Sequence, residues 1–235
     1  MIFASFFKAM GQIGDPRFRR VLLLGVGLTL ALLIVAYAGV LWLVQSAVGD
    51  STTLPLIGEV TWLGDLLGGA SLLLMFVLSV FLMVPVASAI TSMFLDVVAQ
   101  AVEDRHYPSL PPAVNVPFGE ALRDTINFLG VIVGANTLAL ILYAIFTPFA
   151  PLIFWALNGY LLGMEYFTLV AIRRVGRARA KTLRRRHRMT IWLAGVLMAL
   201  PLSLPLVNLL IPIMGAATFT HIYHAIQARS PAPYG

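Results

Sequence analysis

Residues 173–228 read RRVGRARAKTLRRRHRMTIWLAGVLMALPLSLPLVNLLIPIMGAATFTHIYHAIQA. A block of cations passes directly into a tract, residues 189–228, without Asp, Glu, Lys or Arg, and the tract is broken by Pro201-Leu202-Ser203-Leu204-Pro205. A helix from Arg188 to Pro201 reaches only about 18 Å, short of a hydrocarbon core of about 30 Å. Two arrangements satisfy this length: a re-entrant hairpin whose bend lies inside the bilayer, or a proline-kinked pair that spans it. Irregular backbone at that depth is tolerated only where protein buries it or a watery cavity receives it. On the re-entrant reading Ser203 and Asn208 face such a passage. Asn208 otherwise caps backbone groups freed by Pro205 and Pro212.

Working outward, three more tracts lack charged residues: 21–49, 66–95 and 125–164. The basic residues fall between or outside the tracts, in residues 8–20, 105–123 and 173–188 and at Arg229. If the first two tracts cross once each and the last two enter and return, every basic group faces one compartment. The far-side loop, residues 50–65, then carries Asp50, Glu59 and Asp65 and no Lys or Arg. That is the positive-inside pattern, and it puts both termini in the cytoplasm. The expected fold is an all-α integral membrane protein forming a single membrane domain, residues 1–235. It comprises an interfacial helix over 1–14, transmembrane helices over 16–48 and 66–104, a first hairpin over 118–172, a basic cytoplasmic segment over 173–188 and a second hairpin over 189–228.

Composition agrees: 60% hydrophobic and 11% charged residues fall far from a soluble domain, where about a quarter are charged. No cysteine is present, which removes disulfides and thiolate chemistry. In residues 1–14, Phe3, Phe6, Phe7, Met10 and Ile13 recur at helical spacing, as in a helix lying on a leaflet. Asp15-Pro16 signals a helix start, with Asp as N-cap and Pro at the first helical position. Pro85 should kink the second tract, whose Ala87, Ser88, Ala89, Ser92 and Ala99 give a small-residue face for helix contact. The third tract should break at Thr147-Pro148-Phe149-Ala150-Pro151. Gly159 and Gly163 form a Gly-x-x-x-Gly for close helix packing.

Several residues stand out chemically. Arg19 and Arg20 lie in the first turn of the helix opened at Asp15, where free N–H groups and guanidinium forks suit a tetrahedral oxyanion; the competing reading is that Arg17, Arg19 and Arg20 anchor a helix end at the headgroups. After Glu165 the chain has no acidic residue. Arg173, Arg174, Arg177, Arg184, Arg185, Arg186 and Arg188 therefore either gather anions at a pore mouth or contact lipid. Glu165 sits among apolar neighbours, as a proton site or as the ion-pair partner of Arg173. His221 and His224 lack a third ligand at metal-binding spacing, and Glu103 with His106 is a single Glu-x-x-His where a di-iron bundle needs two. No nucleotide-binding or hydrolase motif is present, so no enzyme, metal or cofactor is expected, and nucleic acid is not an expected partner.

Three patterns together resemble the CysZ-type sulfate permease family, which is related to the etoposide-induced membrane proteins. They are Lys8 with Asp15-Pro16 and Arg19-Arg20; Ala87-Ser88-Ala89-Ile90 through Phe94 to Glu103; and Pro205-Leu206-Val207-Asn208-Leu209 followed by Pro212 and Gly215-Ala216-Ala217-Thr218. Two departures accompany them: Arg17-Phe18 replaces the glycine common before the arginines, and the arginine run replaces an Asp-Tyr-Pro and Asn-His stretch. The resemblance implies sulfate uptake across a bacterial inner membrane for cysteine synthesis, without a nucleotide-binding subunit. It implies an anion site at the backbone of Arg17 and Phe18 and the side chains of Arg19 and Arg20. Partners expected are the inorganic anion, membrane lipid and further copies of the chain. An alternative is a non-transporting membrane protein that organises lipid or proteins through its basic cytoplasmic face.

Overall fold

The computed structural model describes residues 1–48, 52–54, 58–60, 69–70, 73, 77, 83, 86–87, 90–91, 93–113 and 118–229. The described residues are almost entirely helical, in the order α1 (Ile2–Met10), α2 (Pro16–Val48), α3 (Leu95–His106), α4 (Phe118–Ile145), α5 (Ala150–Arg186), α6 (Arg188–Ala199), α7 (Pro205–Asn208) and α8 (Ile211–Arg229). Between α2 and α3, in the acidic loop, two short strands, β1 (Thr52–Leu54) and β2 (Gly58–Val60), pair antiparallel with Thr53 opposite Glu59. Contacts divide the chain into two compact units, residues 1–22 with 92–235 and residues 23–91.

Helix α2 supplies the one stretch among the described residues long and apolar enough to cross a membrane, Pro16–Val40; its residues from Leu23 on belong to the smaller unit. Leu23 and Trp42 on it are each 67% exposed, a surface that suits hydrocarbon and not water. The second span expected over 66–104 is described in part, and a turn at Met93 and Phe94 separates its apolar portion from α3. The described positions 69–70, 73, 77, 83, 86–87 and 90–91 within it are helical. A side chain at Gly25 would land on Thr91 and lie 3.4 Å from the Ala87 carbonyl, so small residues do bring this tract close to α2. Pro85, Ser88, Ala89 and Ser92 lie outside the described residues.

The larger unit is built around α8, in which every residue from Ile211 to Tyr223 is buried. A helix apolar or small on all sides must be surrounded, and α1, α3, α5 and α6 all pack against it. Phe18, Leu95, Phe167, Met198, Phe219 and Ile222 fill the core. The amphipathic helix α1 turns Ser5 and Ala9 inward while leaving Phe3 65% and Phe7 62% exposed. Phe3, Phe7 and Met10 thus face away from the protein, as a leaflet-bound helix requires, while Phe6 packs against the core.

The expected breaks occur where proline dictates them. The chain leaves α4 through a 3-10 turn, Thr147–Phe149, and re-enters helix at Ala150 with Pro151 in the first turn, where a missing N–H costs nothing. The last tract bends through Leu200–Ser203 and α7 before α8, so α6 is only 12 residues long. Arg173 and Arg174 still belong to the helix that begins at Ala150; it breaks at Gly176, with φ 70 and ψ 172, and a further helical stretch runs on to Arg186. Such φ is open to glycine and strained for other residues.

The glycine pair has the packing role read from its spacing. A Cβ at Gly159 would lie 2.7 Å from Val196 Cα, and one at Gly163 would lie 2.6 Å from the Ile191 carbonyl oxygen. From the facing helix, a Cβ at Gly195 would strike the Gly159 carbonyl and sit 2.8 Å from Gly163 N. Here α5 and α6 touch backbone to backbone, and Trp192 Nε1 donates to the Ala156 carbonyl at 2.9 Å alongside. Gly195→Ala is expected to cost about 1–3 kcal/mol through overpacking, read as a lower melting temperature in detergent. Gly134→Ala, whose Cβ meets nothing within 4 Å among the described residues, should hold or raise it.

Candidate functional site

The start of α2 is fastened by polar contacts across to α3. Asp15 caps the helix, its Oδ1 accepting from the Arg17 N–H at 2.9 Å while Oδ2 accepts from Gln12 Nε2 at 2.9 Å. Buried Gln12 also donates to the Ala101 carbonyl at 3.1 Å. Burial opposes the Asp15 charge, but the Gln12 amide, the Arg17 N–H and the charges of Arg17 and Arg105 outweigh it and hold the carboxyl below its ordinary value. Arg17 Nη1 reaches Asp104 Oδ2 at 2.6 Å.

These contacts sort the residues assigned to an anion. Arg17 has given its amide to Asp15 and its guanidinium to Asp104. The Phe18 ring is 2% exposed in the core, and its N–H has no acceptor among the described residues. Arg19 and Arg20 are exposed, and neither side chain has a partner among the described residues. The helix opening therefore carries two uncommitted, exposed guanidinium groups next in sequence to an unpaired backbone N–H on buried Phe18.

A second polar centre lies where α3, α5 and α8 meet. Glu103, 1% exposed, receives Arg174 Nε at 2.7 Å and Nη2 at 2.5 Å, a bidentate pair, and shares a hydrogen bond with His224 Nε2 at 3.1 Å. Arg173 Nη1 lies 3.7 Å from the same carboxylate, and its other nitrogens approach Asp96 at 3.5 Å and Gln100 at 2.8 Å. Glu103 belongs to the polar end of its tract, beyond the apolar part. Burial alone would raise its carboxyl, yet the His224 and Arg174 hydrogen bonds and the Arg173 and Arg174 charges bring it down to about 2. Around it, Tyr107 hydroxyl meets His221 Nδ1 at 3.0 Å, the Tyr107 and His224 rings lie 4.2 Å apart and the His106 and His221 rings 4.8 Å apart.

This centre corrects the sequence reading of the arginine block. Arg173 and Arg174 are structural counter-ions inside the protein, not part of a basic mouth, and Arg173 pairs with Asp96 and Glu103, not with Glu165. Half-buried Glu165 has no ion pair among the described residues. Arg177 is half-buried, and Arg185, Arg186 and Arg188 are exposed. Arg184 Nη1 donates to Thr168 Oγ1 at 3.0 Å, a contact a straight helix forbids over that separation. The break at Gly176 folds residues 177–186 back along α5, and Arg184, Arg185 and Arg188 gather with Lys181 around a cleft of about 610 Å³. In the last hairpin the Asn208 N–H donates to the Leu204 carbonyl at 2.8 Å, while its side-chain amide has no partner among the described residues. Only the backbone of Ser203 is described; its side chain lies outside the described residues.

Sequence reasoning weighed Glu103 only as a metal ligand and missed its pairing. Asp96, Gln100, Glu103 and Asp104 repeat at helical spacing along one side of α3, and that stripe signalled a cationic neighbour.

No curated protein matches the chain. Residues 5–212 match the family described as Sulfate transporter CysZ/Etoposide-induced protein 2.4. With that match running from before the opening of α2 into the last hairpin, as far as Pro212, the chain is a membrane protein belonging to this family of transporters.

Proposed function

We propose that the chain is a permease for a small oxyanion, sulfate foremost, in a bacterial inner membrane. The observation that carries this reading is the pair Arg19 and Arg20, exposed and uncompensated where the spanning helix opens, while Arg17, Arg173 and Arg174 are bound to carboxylates. Two guanidinium forks and the Phe18 N–H suit a tetrahedral oxyanion. The exposure of Arg19 and Arg20 keeps the hold loose, as passage requires.

The proposed arrangement is one membrane domain, with transmembrane helices over 16–48 and 66–104, the last turns of the second past Asp96 projecting into the cytoplasm, partly inserted hairpins over 118–172 and 189–228, and all basic stretches with both termini in the cytoplasm. The short α6 and the bend at Leu200–Ser203 support partial insertion. Asn208, with its uncommitted amide, and Ser203 lie along the proposed passage, and Glu165 is the ionisable group available for coupling. Partly inserted hairpins leave polar backbone for neighbours to cover, so the working form is a homo-oligomer. Sulfate taken in this way feeds cysteine synthesis.

Purified protein in liposomes should take up labelled sulfate down its gradient without nucleotide, with selenate competing and chloride competing weakly. Uptake equal to protein-free liposomes would refute the transport reading and favour the non-transporting alternative.

A further inference from the structure

We propose that the cleft between residues 177–188 and the α5–α6 pair seats the phosphate of an anionic phospholipid from the cytoplasmic leaflet. Its cationic wall is Lys181, Arg184, Arg185 and Arg188. Among the described residues no carboxylate lines it, and none occurs in the chain after Glu165, so the described residues offer these charges no counter-ion. Arg184 is held in place through Thr168 by one nitrogen, which leaves its remaining donors to turn to a ligand.

The rest of the lining is apolar or aromatic: Tyr160, Met164, Ile191 and Trp192. Trp192 is fixed by its bond to the Ala156 carbonyl. Tyr160 is 52% exposed, and Met189 and Leu193, next in sequence to lining residues, are 57% and 48% exposed. A free inorganic anion has no use for that part of the lining, whereas a lipid lays its glycerol and upper acyl chain there and gives its phosphate to the arginines. The cleft volume, about 610 Å³, falls within the range of small-molecule sites. Aromatic side chains beside a basic cluster also mark the headgroup level of a membrane.

The assignment rests on the cytoplasmic placement of residues 173–188 proposed above, and it is independent of Arg19 and Arg20. Delipidated protein in mild detergent is titrated with phosphatidylglycerol, phosphatidylcholine or inorganic phosphate, and binding is followed by native mass spectrometry. Phosphatidylglycerol should bind, phosphatidylcholine should not, and inorganic phosphate should fail to displace the lipid. Lys181→Gln, Arg185→Gln and Arg188→Gln together, all exposed positions, should weaken phosphatidylglycerol binding on the order of a hundredfold. Arg19→Gln with Arg20→Gln should leave it unchanged, so a failed transport site does not disturb this result. Wild-type phosphatidylglycerol affinity in the triple variant overturns the proposal. So does inorganic phosphate that binds as tightly as the lipid and displaces it, which assigns the cleft to a free anion and can be read on the wild-type protein alone.

Discussion

Glu103→Gln is expected to lower the melting temperature of the detergent-solubilised protein by more than about 8 °C. The substitution preserves shape but leaves Arg174, and part of Arg173, buried without a counter-charge, and breaking a buried pair from one side costs about 3–5 kcal/mol. Replacing both partners, Glu103→Met with Arg174→Met, should recover much of the loss, because two buried charges are then removed together. The pH dependence has a defined sign. A carboxyl lowered in the folded state to about 2 stabilises the fold above its unfolded value of about 4.3. That contribution fades as pH falls through the window between them. Wild-type stability should therefore drop between pH about 4.5 and 2 more steeply than that of the double variant. A Glu103→Gln protein that melts with wild type would remove Glu103 from its place at the centre of the larger unit.

Arg19→Ala with Arg20→Ala should cut labelled sulfate flux at least about tenfold, the consequence of losing two charge-assisted contacts at about 1.5 kcal/mol or more each. The same protein should insert and melt as wild type, since neither side chain has a partner among the described residues and both are exposed. Arg17→Ala should behave in the reverse sense. It removes the 2.6 Å contact with Asp104, an exposed pair worth about 1 kcal/mol or less, and lowers stability modestly. Flux should also fall less than with Arg19 and Arg20 removed. Equal flux with and without the Arg19 and Arg20 side chains would dissociate the helix opening from transport.

The features legible in the sequence are those a short stretch of chain decides alone. Apolar length marked α2, prolines marked the breaks at Thr147–Phe149 and Leu200–Ser203, and the spacing of Gly159 and Gly163 marked a close helix contact. The outward stripe of α1 was legible for the same reason: Phe3 and Phe7 share a helix face whatever lies beyond it.

What the sequence left open were pairings across distance. Glu103 and Arg174 are 71 residues apart, so no local pattern separates the arginines that neutralise a buried carboxylate from those that remain free. Glu165, nearer in sequence to Arg173, was the natural partner by proximity, yet the stripe on α3 takes that arginine instead. The turn at Gly176 was hidden likewise, because a glycine among helix-favouring arginines and alanines reads as a tolerated helix residue until its positive φ is seen. For the candidate anion site, the sequence supplied the arginines and the helix start. Only the placement of α3 separated committed Arg17 from open Arg19 and Arg20.

The transport account requires that the cationic stretches share one face of the membrane, opposite the loop containing β1 and β2. The chain has no cysteine, so single thiols can be introduced at exposed Thr182 and at Thr53 and labelled with a membrane-impermeant maleimide. The account predicts that Thr182→Cys reacts only in inside-out vesicles and Thr53→Cys only in right-side-out ones; labelling of both thiols from the same side would contradict it.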